Sequence, residues 1–201
     1  RLIRTYAMIV VKLNDGTVLI CGGYGVGKKT WFGLGSDKID TLESAFVFDP
    51  KQNMFTQVGD MNYSRHSHSA TLMSSGKVLI SGGYNDSVWK KDKTQAPFEL
   101  YNTATKKFEK VGSIFTRFKS KEPRMNHSAT SIEGGTGVLL TGGNYYKGGG
   151  LFGWFGLTPD LKMCEAAEVV RGTKTDKTGK LNAPRMCHGA VQTGTRPVVV
   201  A

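Results

Sequence analysis

Short runs of alternating apolar and polar residues, each closed by Gly, Asn, Asp, Ser or Pro, cover most of this chain and predict β-strands. One stretch shows the order clearly: residues 67–73 end in Ser74-Ser75-Gly76, residues 77–81 in Gly82-Gly83, residues 98–101 in the polar turn 102–106, and a fourth run covers 107–111. An earlier stretch matches it run for run, with strands at 6–13, 17–21, 45–48 and 54–58, the third closed by the turn 49–53 that contains Asp49-Pro50. A later stretch supplies strands at 126–132, 138–141 and 165–170, whereas 171–181 is polar and threonine-rich and predicts only an irregular or short outer strand.

The second strand of every stretch ends in a glycine pair, Gly22-Gly23, Gly82-Gly83 and Gly142-Gly143, at a constant spacing of 60 residues. Self-similarity at such a period marks a chain of identical supersecondary units, and four short antiparallel strands per unit read as a propeller blade. The expected fold is therefore all-β, a partial propeller in which 1–201 form one segment: blades at 4–64, 65–123 and 124–184, and the start of a fourth at 185–201. Three blades and part of a fourth do not close a ring, so the segment is expected to belong to a larger propeller.

Blade starts carry an arginine and, three places on, a histidine: Arg65 with His68, Arg124 with His127, Arg185 with His188; the first repeat has Arg4 but Ala7. The glycine pairs suit a crowded turn that needs positive φ and close backbone approach. Histidines on the strands nearest the axis have ring nitrogens to tie neighbouring blades by hydrogen bonds, so they and the glycines are expected to be structural rather than metal ligands. With the outer-strand aromatics Phe55 and Phe108, these motifs resemble the kelch repeat, and 68–85 with 98–113 look most like kelch repeats of the galactose oxidase type. That resemblance covers nearly the whole chain and implies a binding platform. It also raises a copper oxidase, whose centre in that family uses tyrosines, histidines and a cysteine cross-linked to tyrosine, but no such constellation is placed here, and the expectation is no cofactor and no catalytic residue.

Antiparallel order puts the long insertions 24–44, 84–97 and 144–164 on one face, together with Arg4, Arg65, Arg124 and Arg185. Trp31-Phe32, Trp89 and Trp154-Phe155 all fall in those insertions. Either the aromatics fold back onto their blades, or they form a lysine-flanked apolar contact surface of the kind that marks an interface. The expected function is a non-catalytic protein-interaction or scaffold module within a larger assembly, with a protein partner first and the remaining blades of the same propeller beside it. A membrane surface or a glycan is a further possibility, and a carbohydrate-active or sugar-binding propeller of the galactose oxidase type is the alternative.

Composition changes little in this picture. The net charge of +11 suits an anionic partner, but the lysines are scattered through the turns and the densest run, Arg117 to Arg124, is broken by Glu122, which argues for a solvated surface and against nucleic acid. Cys21, Cys164 and Cys187 show no CxxC spacing and read as small buried hydrophobes. No run reaches the roughly 20 apolar residues of a membrane span. The first residues lack a signal-peptide pattern, and the compartment is left open with a lean towards cytoplasm.

Overall fold

The structure, a computed structural model, describes residues 5–26, 39–85, 97–110, 124–147, 160–194 and 196–200. The first repeat contributes β1 (Thr5–Tyr6), β2 (Ile9–Lys12), β3 (Val18–Cys21), β4 (Tyr24–Val26), β5 (Ile39–Thr41), β6 (Ala45–Asp49) and β7 (Met54–Gln57). The second contributes β8 (Ser69–Leu72), β9 (Lys77–Ser81), β10 (Glu99–Asn102) and β11 (Lys107–Lys110). The third adds β12 (Ser128–Ile132), β13 (Gly137–Thr141), β14 (Asn144–Lys147), β15 (Asp160–Met163), β16 (Ala166–Arg171) and β17 (Lys174–Lys180), and β18 (Gly189–Thr193) with β19 (Arg196–Val200) follows. All pairings are antiparallel, and three sheets have four strands in simple up-and-down order: β2-β3-β6-β7, β8-β9-β10-β11 and β12-β13-β16-β17. The molecule is thus all-β, and its four-stranded sheets are compatible with a propeller-like arrangement of blades.

The outer turns form for local reasons. Asp49 Oδ1 accepts hydrogen bonds from the amides of Lys51 and Gln52, at 2.8 and 3.3 Å, and Asn102 Oδ1 accepts from those of Ala104 and Thr105, at 3.0 and 3.2 Å. Each turn closes on a left-handed residue, Asn53 at φ 50° and Lys106 at φ 55°, which brings the fourth strand back alongside the third.

The sheets stack face to face. Leu19, Cys21, Ala45 and Val47 of the first sheet pack on Val78, Ile80 and Tyr101 of the second. Leu79, on the opposite side of β9, packs with Phe98 on Val138, Leu140 and Val170 of the third. Ile132, Leu139, Ala167 and Val169 continue the core on the third sheet's far side. β9 reads as an almost unbroken apolar run because both of its faces are covered. Each fully buried Leu or Ile contributes about 1.5–3 kcal/mol.

Two expectations change. Residues 6–13 are not one strand, because Ala7 adopts φ 53° and splits the run into β1 and β2. The polar stretch beyond Arg171 does form an irregular outer strand, with a register shift between Ala166 and Glu168, but it is not short: β17 is seven residues long and runs along β16. An edge strand needs hydrogen bonds on one side only and no apolar face, so a solvated Lys/Thr sequence suffices there.

Candidate functional site

Neighbouring sheets are joined by one device used three times. The second glycine of each pair donates its amide to the carbonyl of the next repeat's arginine: Gly23 to Arg65 at 2.9 Å, Gly83 to Arg124 at 3.0 Å, Gly143 to Arg185 at 2.8 Å. The first glycine lies under the next histidine. A Cβ built on Gly82 would sit 2.5 Å from the Arg124 carbonyl oxygen and 2.6 Å from His127 Cε1, with φ at +63°, so no side chain fits. The residue before the pair meets the histidine's Nε2: Cys21 Sγ at 3.6 Å from His68, Ser81 Oγ at 3.1 Å from His127, Thr141 Oγ1 at 3.0 Å from His188. Each of the three histidines thus meets a side chain of the preceding sheet. Among the described residues, no three His, Cys, Asp or Glu side chains are grouped so as to hold a metal ion.

Beside this runs a main-chain ladder. Ala7, Ser67, Asn126 and Cys187 all have φ between 52° and 54°. Ser67 donates its amide to the Ala7 carbonyl at 3.4 Å, Asn126 to Ser67 at 2.9 Å, and Cys187 to Asn126 at 2.9 Å. These equivalences correct the register of the first repeat by one residue: Ala7 matches Ser67, so Met8, not Ala7, stands in the histidine position, and Thr5, not Arg4, in the arginine position. Arg4 itself lies outside the described residues.

The arginines need a second correction. Arg65 and Arg124 are 0% and 1% exposed, so neither belongs to a contact surface. Arg65 Nη2 reaches Glu99 Oε1 at 2.8 Å and the Pro97 carbonyl at 2.7 Å, and Nη1 reaches the Gly82 carbonyl at 2.9 Å. Glu99 also accepts from the amides of Asn62 and Tyr63, at 2.6 and 3.2 Å, and from Asn62 Nδ2 at 2.7 Å. Burial pulls the Arg65 guanidinium down from its ordinary value and Glu99 opposes that shift. Arg124 repeats the pattern, with Glu168 at 3.3 Å and the carbonyls of Gly142 and Ala166 at 3.2 and 3.1 Å. Two unpaired charges here would be costly, and two paired ones fix the sheet's entry strand. Arg185 is half-buried and donates to the Ala183 carbonyl at 3.5 Å. The cysteines divide: Cys21 and Cys164 are buried, and burial pushes the Cys21 thiol up to about 12, whereas Cys187 is exposed and so departs from the expected buried set.

What sequence reasoning missed is an aromatic row across the stems of the insertions. Tyr24 stacks on His66 with centroids 4.0 Å apart, His66 meets Tyr84 edge-on at 5.7 Å, and Tyr84 meets Tyr146 at 5.1 Å. Tyr24 Oη lies 2.8 Å from His66 Nε2, and Ser67 Oγ lies 2.9 Å from His66 Nδ1. Burial pushes the His66 ring down to about 4, so it is neutral at pH 7. The row brings together residues of all three repeats, because Tyr24 and Tyr146 sit on β4 and β14, the rising strands of the insertion hairpins β4-β5 and β14-β15, and Tyr84 follows a glycine pair. A shallow cleft beside it is lined by Tyr84, Arg124, Met125, Asn144, Tyr145 and Tyr146. The signal was present as Gly-Gly-Tyr at 22–24 and again at 82–84. Trp31, Phe32, Trp89, Trp154 and Phe155 lie outside the described residues.

No family model matches this chain, and no curated protein matches it.

Proposed function

We propose that the chain is a segment of a kelch-type β-propeller that acts as a non-catalytic protein-interaction or scaffold module within a larger assembly, its sheets being blades that pack against further blades of the same propeller. The observation that carries this reading is the joint itself. Glycine pair, histidine and ladder residue recur with one geometry at every step, and the first two steps add a buried arginine and carboxylate. Such residues are spent on architecture, and the parts that differ from repeat to repeat are the insertions, whose described stems carry the aromatic row. A repeated stack whose insertions differ in sequence and hold the tryptophans has the form of a binding platform. The test is acrylamide quenching of the three tryptophans together with purification at defined stoichiometry. Exposed tryptophans and a partner lost on Trp31→Ala or Trp154→Ala are the expected results, and full protection of all three would sink the contact surface.

The tyrosine row supports a second reading, sugar binding, because the mutually tilted rings of Tyr84 and Tyr146 line a cleft together with Tyr145 and the polar Asn144, and aromatic rings beside a polar group suit a pyranose face. Titration with a panel of mono- and disaccharides, read by intrinsic fluorescence, separates the two: saturable sugar binding abolished by Tyr84→Ala favours the second.

A further inference from the structure

Among the described residues, none of the apolar clusters covers one face of the first sheet, and the repeat says what belongs there. Val10, Val18, Ile20, Phe48 and Phe55 occupy the positions of Ala70, Val78, Ile80, Tyr101 and Phe108 in the second sheet. In the second sheet that face is seated on the first, and Val78, Ile80 and Tyr101 are each 0% exposed. In the first sheet Val10 is 57% and Phe55 62% exposed, and none of the apolar clusters includes these residues. Even the aromatic pair is shared, Phe48 with Phe55 at 4.7 Å and Tyr101 with Phe108 at 4.9 Å.

The polar parts of the joint, however, are absent from this face as a set. Met8, 41% exposed, stands where His68, His127 and His188 stand. Phe46, opposite Ile20, stands where Glu99 and Glu168 stand opposite Ile80 and Leu140, and Thr5 takes the arginine's place. Each internal histidine needs a hydroxyl or thiol from the sheet before it, since a buried donor or acceptor left unmet costs about 1–3 kcal/mol. A methionine reverses that requirement. Opposite Met8, a hydroxyl would be the buried group left unmet.

We propose that this face is a blade-to-blade interface of a different kind from the internal ones: its occupant is a further four-stranded sheet of the same repeat and the same propeller, carrying an apolar residue, not Ser, Thr or Cys, immediately before its glycine pair. This rests on the propeller reading above and adds the partner's chemistry to it.

The experiment supplies such a sheet. A copy of residues 124–184 is fused directly ahead of Thr5 of the 201-residue chain, which preserves the natural junction because residue 184 is normally followed by Arg185, the counterpart of Thr5. Two versions are compared, one unaltered and one with Thr141→Val in the added copy only. Peroxide oxidation of Met8, followed by mass spectrometry, reads coverage of the face, and thermal melting reads the fit. Expected are a fall of about ten-fold or more in Met8 oxidation relative to the unfused chain, equal to about 1.4 kcal/mol, and a higher Tm for the Thr141→Val version. Equal protection with the higher Tm for the unaltered copy overturns the apolar seam and leaves the propeller reading standing. Unprotected Met8 in both fusions overturns both. Concentration-dependent protection of Met8 in the unfused chain identifies a second copy as the occupant and also overturns the proposal. Should the fusions fail to fold, the pairing rule is tested inside the chain. His127→Met lowers Tm and Ser81→Ala added to it restores part of the loss; no recovery refutes the rule.

Discussion

At Glu99 a single carboxylate is enclosed by two backbone amides, an asparagine side chain and a guanidinium, all within 3.2 Å. Removing it strands the Arg65 charge in the interior, so Glu99→Ala is expected to destabilise the fold by about 3–5 kcal/mol, while the joint replacement Arg65→Met with Glu99→Leu loses much less. Urea denaturation of the two variants measures the difference. The histidines set a pH dependence. Burial holds His68 well below its ordinary value and His127 at about 3, with Arg124 and His188 adding repulsion at His127 and Arg65, His127 and His66 at His68. The unfolded chain takes up these protons near pH 6.5 and the folded chain refuses them, so stability is complete above that pH and falls as the pH drops towards the folded values. The slope is about 1.4 kcal/mol per unit for each histidine. Denaturation midpoints at pH 7 and pH 5 check this, and His127→Gln is expected to flatten the curve. Sequence revealed these histidines because they recur at a fixed distance from the glycine pairs. It could not reveal that the arginines turn inward, because their partners Glu99 and Glu168 lie 34 and 44 positions away, each a lone acid in an apolar strand.

Among the strands, most bounds were legible to within two residues, since turn chemistry marks them. The failures have distinct physical causes. The kink at Ala7 uses a left-handed alanine, which no composition rule anticipates. β17 is held by main-chain pairing to β16 and by the exposed pair Lys180 with Glu165, not by burial, so a hydrophobic pattern gave no sign of its length. Rim strands held on one side are also the ones that open first. Amide exchange is expected to be slowest in β9 and β13 and markedly faster in β7, β11 and β17, as hydrogen–deuterium exchange by mass spectrometry would show.

Across the whole stack, position in the series decides how much a residue matters. Ile20 and Ile80 are the same residue at the same place in successive sheets, one half-buried and the other fully enclosed. Ile80→Ala is expected to cost about 2–5 kcal/mol and Ile20→Ala clearly less, with guanidinium denaturation as the measurement. Equal losses would mean that the first sheet's open face is covered in solution.

The ladder through Ala7, Ser67, Asn126 and Cys187 has a consequence for how such a molecule can change over generations. Its hydrogen bonds use only amides and carbonyls, so the step from sheet to sheet asks each rung for a left-handed backbone, which β-branched residues resist, and not for a particular functional group. Four rungs already display a methyl, a hydroxyl, a carboxamide and a thiol. Architecture and novelty are thereby uncoupled at one row of positions, where variation can accumulate and be selected without the scaffold having to be reinvented.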